Sequence, residues 1–445
     1  MDGCDPEGLA RAYVALGLRL GRVVPGLVDA HLGDPAIVGR LADEPRPDPV
    51  GLRRDAAELR RRLTHDGAVG PDGAADPDRA EYLDAQLAAC EVIAARAAGE
   101  DVGVVEEVRD CLGVAVGPGE PDDYRAAHER LAGVLATPPR ALPAALAAFR
   151  ERDRVSPERL RAGLATMTAA LRGRTAEVVG LPAGEGVDLE IVTGVPWAGF
   201  ARRVGPGRSV MAVSRDAGHR RSHLPLLAAH EAYPGHHTEM ARTELAGGAP
   251  PAPERTLLLA RTPQSLVAEG AAECGLAAVV GPGWGEWAAG HLAAAGVPTT
   301  TAEGALGEAV EDAMLPLAAV RQDAALLLHG GTGVDREEQA RAHLRRWLLI
   351  DDDRAGRMLE FLTHPRWRIH TTTYVEGVRL VRPWLDSGGA PTGARFARLL
   401  DESWTPARLR RETLRPRRDR QGDTASGRDE RYPRHADDAP MSPSV

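Results

Sequence analysis

The stretch Leu226-Leu227-Ala228-Ala229-His230-Glu231-Ala232-Tyr233-Pro234-Gly235-His236-His237-Thr238-Glu239 decides how this chain is read. An apolar approach in the pattern of a buried helix leads into His230 and Glu231, and two more histidines follow. Pro234 cannot continue that helix. It lacks the amide that would bond the carbonyl of His230, and its ring collides there. Gly235 beside it admits backbone dihedrals closed to other residues. The spacing predicts a bulge or kink at Pro234-Gly235, with His236 and His237 just beyond it.

Histidines four apart on an unbroken helix, as in His-Glu-x-x-His, lie about 40° apart around the axis and about 6 Å along it, so both reach one zinc ion. Here the second and third histidines stand six and seven positions after His230. On a straight helix His236 would point away, and His237 would lie about 10 Å further along. With two residues looped out at the break, His236 takes the place of the second ligand; with three, His237 does. We read His230 and His236 as zinc ligands, and keep His237 as the alternative ligand or as a hydrogen-bonding group behind them. The competing reading, histidines that merely satisfy a broken helix, suits a lone His better than three with a Glu.

A third ligand is sought in Ser265-Leu266-Val267-Ala268-Glu269-Gly270-Ala271-Ala272-Glu273. Glu269 and Glu273 are four apart and share a helical face flanked by apolar residues. One carboxylate would bind the metal and the other would accept the free N–H of a ligand histidine, fixing its tautomer. Two His and one carboxylate leave a coordination position where water loses a proton near neutral pH. Glu231 is expected to take that proton and pass it to a leaving amine. An oxyanion then needs a donor, for which Tyr374 is the candidate and His370 the second. The strand expected at 209–213 would offer an open edge to an extended substrate.

The rest of the chain sets the frame. It has 445 residues, a formal net charge of −9 and 43% hydrophobic residues, enough for a sizeable core. The acidic balance argues against nucleic acid as a partner. The four cysteines, Cys4, Cys90, Cys111 and Cys274, have no C-x-x-C spacing, so neither a disulfide framework nor a cysteine-rich zinc site is indicated. No basic n-region opens the chain and no apolar run approaches a membrane span, so a cytoplasmic location without membrane contact is expected. Helical periodicity marks 79–98, 121–136, 140–152 and a helix opened by Ser156-Pro157-Glu158. Alternation marks short strands at 187–192 and 209–213. Helices then follow to 411, with ends at Gly247-Gly248, Gly281-Pro282-Gly283 and Gly330-Gly331. The expected organisation is a helical region 1–180, a metal-binding region 181–411, continuous with the first or separate, and a disordered tail 412–445.

With these residues in view, the chain resembles a bacterial family known as domain of unknown function 885, a metallopeptidase-like group among the zincins. The resemblance runs over most of 10–411. It rests on Pro25-Gly26-Leu27-Val28-Asp29-Ala30-His31-Leu32-Gly33-Asp34-Pro35, Leu181-Pro182-Ala183-Gly184-Glu185, Pro196-Trp197, the core His230-Glu231-x-x-Pro234-Gly235-His236-His237, Glu269-Gly270-x-Ala272, His364-Pro365-Arg366-Trp367 and Tyr374-x-x-Gly377. The resemblance implies a mainly α, multi-helix zincin-like metallohydrolase with a small β-sheet beside the metal helix. It implies zinc as cofactor, Glu269 as third ligand, and a peptide or small amide as substrate. The chain departs at Ala271, where many members carry Trp, and at His370, where an aromatic or Gln is expected; both bear on the substrate pocket. The expected activity is zinc-dependent amide hydrolysis, as a peptidase. The alternatives are hydrolysis of a small N-acyl or ester substrate, and a helical binding protein without catalysis. Exo-cleavage would need a charged anchor, with Arg203, Arg366 and Arg379 as candidates.

Overall fold

The computed structural model describes residues 6–66, 76–195, 197–245, 250–330, 335–364, 367–388 and 390–414. Cys4, Pro196, Gly247-Gly248, Gly331, Pro365, Arg366 and the tail from 415 onward lie outside the described residues. The architecture is mainly α with small sheets. Helix Pro77–Ala97 buries the predicted stripe of Leu83, Leu87, Cys90 and Ile93, and Asp76 caps its first turn by accepting from the Arg79 amide at 2.9 Å. Pro157 starts helix Pro157–Val178, although the Ser156 hydroxyl does not hold the helix's free amides. The predicted helices in the 121–152 stretch are Pro121–Val134 and Leu142–Arg152. The last helix, Pro406–Leu414, carries order three residues beyond the expected start of the tail. Its Glu412 accepts from the Trp384 indole at 3.2 Å and the Arg398 guanidinium at 2.9 Å.

Five strands are present among the described residues: β1 (Val28–His31), β2 (Gly186–Val192), β3 (Gly199–Gly205), β4 (Arg208–Ser214) and β5 (Leu257–Leu259). β1 and β5 form an antiparallel pair. The other three run in the order β2-β4-β3, with β4 parallel to β2 and antiparallel to β3. This corrects the expected open edge at 209–213. That segment is the central strand, paired on both sides, and its residues from Met211 to Ser214 are all buried, as a strand covered on both faces requires. The edges of this sheet are β2 and β3, and the alternating half-buried and exposed residues of β3 include Arg202 and Phe200.

Among the described residues three large apolar cores hold the helices together, and none is confined to one side of residue 180. Leu160, Leu164, Met167 and Leu171 pack with Met211, Leu224, Leu276 and Trp384. The N-terminal core of Tyr13, Leu20, Leu87 and Leu112 is completed by Leu257, Leu259, Leu266 and Ile369. Leu131, Leu146 and Phe149 meet Val320, Leu344 and Leu359 in the third. Among the described residues, no single helix is long and apolar enough to cross a membrane.

Candidate metal centre

The quoted stretch folds as two helices separated by a short break. Helix His223–Glu231 ends at the predicted base, and helix His236–Leu245 resumes at the second histidine. Between them the Gly235 amide reaches back to the Ala229 carbonyl at 2.8 Å, and the Tyr233-Pro234 peptide is cis. Gly235 is required for a reason other than the one its sequence suggests. Its φ is not left-handed, but a Cβ there would lie 1.9 Å from the His230 carbonyl oxygen, so only glycine allows the chain to fold back this closely.

The fold-back brings three donors together. His236 Nε2 lies 3.1 Å from His230 Nε2, Glu269 Oε2 lies 3.2 Å from His230 Nε2, and Glu269 Oε2 lies 3.5 Å from His236 Nε2. A tetrahedral zinc with bonds of about 2.0–2.1 Å has ligand–ligand edges of roughly 3.3–3.4 Å. The triangle therefore has the size of one face of such a site, and these three residues could hold a metal ion. Glu269 Oε2 is buried without a well-aligned hydrogen bond inside the protein, as expected of an oxygen directed at something other than a protein donor.

The protonation pattern agrees. Burial opposes a charge on His230, but hydrogen bonds to Glu269 and Glu273 outweigh it and hold its pKa well above the usual imidazole range. Burial likewise opposes a charge on Glu269, yet His236 and His230 hold its carboxyl well below the usual carboxylate range. Burial also opposes the raised pKa of His236, where Glu269 prevails. The three side chains are thus poised around positive charge, which a divalent cation would supply in place of protons.

Helix Pro263–Val279 supplies both carboxylates of the predicted pair and divides their roles. Glu269 completes the triangle, whereas Glu273 Oε1 sits 3.3 Å from His230 Nδ1, on the far side of the ring. That contact places the proton on Nδ1 and leaves the Nε2 lone pair facing the centre. Glu231 follows His230 at the helix end and is buried, and burial raises its pKa, against the pull of the nearby histidines and the Ala201 amide of β3. A carboxylate moved toward neutrality is suited to exchanging protons near neutral pH.

Tyr374 and His370 come from helix His370–Asp386. The Tyr374 hydroxyl lies 2.9 Å from His370 Nε2, and the Tyr374 ring is 6.0 Å from that of His230. Burial, reinforced by Glu269, Glu231 and Glu273, holds the phenol pKa well above its usual value, so Tyr374 keeps its proton as a donor. Two glycines bring this helix to the site. A Cβ on Gly270 would meet the Gly377 backbone at 2.5 Å, and a Cβ on Gly377 would meet the Leu266 carbonyl oxygen at 2.6 Å. The two helices therefore touch backbone to backbone, one residue from Glu269 and one turn from Tyr374.

His237 is not brought to the centre. Its Nδ1 pairs with Ser209 Oγ at 2.9 Å and its Nε2 with Glu185 Oε2 at 3.0 Å, fully buried. The alternative of three looped-out residues is thus replaced by two, and His237 instead ties the start of its helix to β4. Glu185 was not anticipated as a site residue. Besides His237 it accepts from the Tyr233 hydroxyl at 2.5 Å and the Arg172 guanidinium at 2.7 Å, so it braces both sides of the break. Its only sequence signal is its place at the end of Leu181-Pro182-Ala183-Gly184-Glu185. Of the expected anchors, Arg203 is ion-paired with Glu244 and Arg379 pairs with Glu376 at 2.7 Å, while Arg366 lies outside the described residues.

No family model matches the chain, and no curated protein matches it. Among solved structures it is similar to a crystal structure described as "the putative lipoprotein from Colwellia psychrerythraea", with 14% identity and a TM-score of 0.46. The match covers 81% of this chain and 66% of that chain, so the chain spans just under two thirds of that protein's length.

Proposed function

We propose that the protein is a zinc-dependent hydrolase of amide bonds, acting as a peptidase on peptides or small amides. The observation that carries this reading is the triangle of His230 Nε2, His236 Nε2 and Glu269 Oε2, with edges of 3.1–3.5 Å, beside the buried carboxylate of Glu231. A structural zinc would close its fourth position with a protein ligand and would need no base beside it. When bound, the metal supplies an acidified water and polarises the scissile carbonyl.

The residues of the chain do the rest. Glu231 accepts a proton from the attacking water and returns it to the leaving nitrogen, so the C–N bond breaks to a carboxylic acid and an amine. The protonated Tyr374 hydroxyl donates a hydrogen bond to the oxygen on which negative charge develops. His370 orients Tyr374, and Glu273 orients His230. The free edge of β3 stands beside Glu231, where an extended substrate can add as a further strand.

Two measurements on one preparation test this. Metal analysis is expected to find one zinc per chain, and Glu231→Gln is expected to keep that zinc and lose turnover of a peptide library by about 10²–10⁴-fold. Undiminished turnover in the variant would remove Glu231 as the base, and absence of stoichiometric metal would remove the hydrolase reading.

A further inference from the structure

One helical turn beyond the ligand His236 stands a carboxylate that nothing so far employs. Helix His236–Leu245 is buried from His237 to Ala241 except at Glu239, which, like His236, reaches solvent in part. Residues three apart on a helix are neighbours, with Cβ atoms about 5–6 Å apart. Glu239 therefore opens on the same side as the ligand. The facing helix, Pro263–Val279, matches this: in its first two turns the partly exposed positions are Gln264, Ala268 and Glu269. The two helices meet there twice. Glu269 Oε2 lies 3.5 Å from His236 Nε2, and one turn along, Gln264 Nε2 donates to Glu239 Oε1 at 3.3 Å. Ala268 shares the helix face of Gln264 and adds only a methyl group to that side.

This pair of side chains is short of donors. Among the described residues Glu239 makes no ion pair, and its one hydrogen bond is a long one from a neutral amide. It does not serve His236 as Glu273 serves His230, since no hydrogen bond joins Glu239 to His236 among those residues. Arg255 acts on it only from a distance, because its guanidinium donates to the carbonyls of Leu400 and Asp401 and to Thr243 Oγ1. Gln264 Oε1 is buried and accepts no hydrogen bond inside the protein, although the Gln264 backbone amide is anchored on Gln86 Oε1 at 3.2 Å. Turning the amide over would not relieve this, for it would set the Gln264 oxygen against the Glu239 carboxylate. A carboxylate and an amide oxygen left as acceptors at one place fit an ammonium group, which brings three N–H donors and a positive charge.

We propose that Glu239, oriented by Gln264, binds the free α-ammonium of the substrate, so that the bond cleaved is the one next to a peptide's N-terminus. This rests on the hydrolase reading above. The α-nitrogen of a residue lies about 2.5 Å from its own carbonyl carbon, and a charge-assisted hydrogen bond adds about 2.8 Å. An anchor for it must stand close to the metal, as a residue one helical turn from the ligand His236 does. The arginines expected as anchors would instead have read a carboxylate. The side-chain ammonium of lysine shares the chemistry of the α-ammonium at a longer reach, and the test separates the two.

Calorimetry on full-length, zinc-loaded Glu231→Gln protein tests the anchor without turnover. Phenylalanine amide is expected to bind at least about tenfold more tightly than N-acetyl-phenylalanine amide. Adding Glu239→Gln is expected to abolish that preference, and Glu239→Asp to keep part of it. Equal affinity for the two amides in protein with Glu239 intact overturns the proposal, whether or not the variants fold. A preference that survives Glu239→Gln overturns it too, because the amine then binds elsewhere, the zinc included. N-acetyl-lysine amide binding more tightly than phenylalanine amide overturns the assignment to the N-terminus. Turnover by the unsubstituted enzyme of trialanine against acetylated trialanine gives the second readout. Preference for the free amine with no turnover of any peptide leaves the anchor standing and removes the hydrolase reading; turnover with no preference does the reverse.

Discussion

Replacing Gly270 with alanine probes how the fold holds its proposed chemistry. The new Cβ would lie 2.5 Å from the Gly377 backbone, where ordinary contact begins near 3.4 Å, so the Glu269 and Tyr374 helices must part by about 1 Å. Overpacking of this kind costs about 1–3 kcal/mol, and the better helix propensity of alanine returns about 1 kcal/mol. A net loss of up to about 2 kcal/mol of stability is expected. The strained contact lies between the helices of Glu269 and Tyr374, whereas the three ligands come from helices His223–Glu231, His236–Leu245 and Pro263–Val279, so none of them rides on the Tyr374 helix. Zinc stoichiometry should therefore stay at one while the phenol moves. A displacement of about 1 Å at a positioned donor corresponds to about 10²-fold in rate. The assays are metal content, a thermal melt and turnover on one preparation. Wild-type melting temperature together with wild-type turnover would show that the glycine contact does not set the position of Tyr374.

Three further expectations concern the brace, the metal and the turn. Glu185→Gln removes a buried negative acceptor for Tyr233, His237 and Arg172 and should cost about 2 kcal/mol at neutral pH. Because those partners hold the Glu185 carboxyl below its usual range, its contribution is present above the unfolded carboxylate pKa and is lost as pH falls through the folded one; melts of variant and wild type should therefore converge in acid. Zinc at about 100 times its Kd should add about 2.7 kcal/mol of stability over chelated protein. The raised pKa of His230 and His236 means that zinc displaces protons at neutral pH, so calorimetry in buffers of different ionisation heat should show proton release and affinity that climbs with pH; no release would contradict the ligand assignment. Gly235→Ala places a Cβ 1.9 Å from the His230 carbonyl oxygen and should abolish stoichiometric zinc binding, read by metal analysis of whatever folded protein is recovered.

Local signals in the sequence were sufficient for elements whose cause is local. The stripe of Leu83, Leu87, Cys90 and Ile93 marks its helix because burial repeats with the helical period. Pro234 marks the helix break because its ring and missing amide act on the residues next to it. Whether two or three residues leave the helix is not local: it depends on Glu185, some fifty positions upstream, capturing His237. β3 went unseen because its alternation sets Arg202 and Arg203 among apolar residues on a half-exposed edge. The central place of β4 depends on that missing partner.

The interleaving of the cores bears on how this protein can be dissected. A cut near residue 180 would strip Leu160, Leu164, Met167 and Leu171 from the wall against which the His230 helix rests, and would leave Tyr13 and Leu20 facing the gap once filled by Leu257 and Leu259. Neither fragment would retain a closed interior. Any minimal version that keeps the three ligands must therefore inherit nearly the whole chain, and recombination that trades one half against a foreign partner is barred by the same packing.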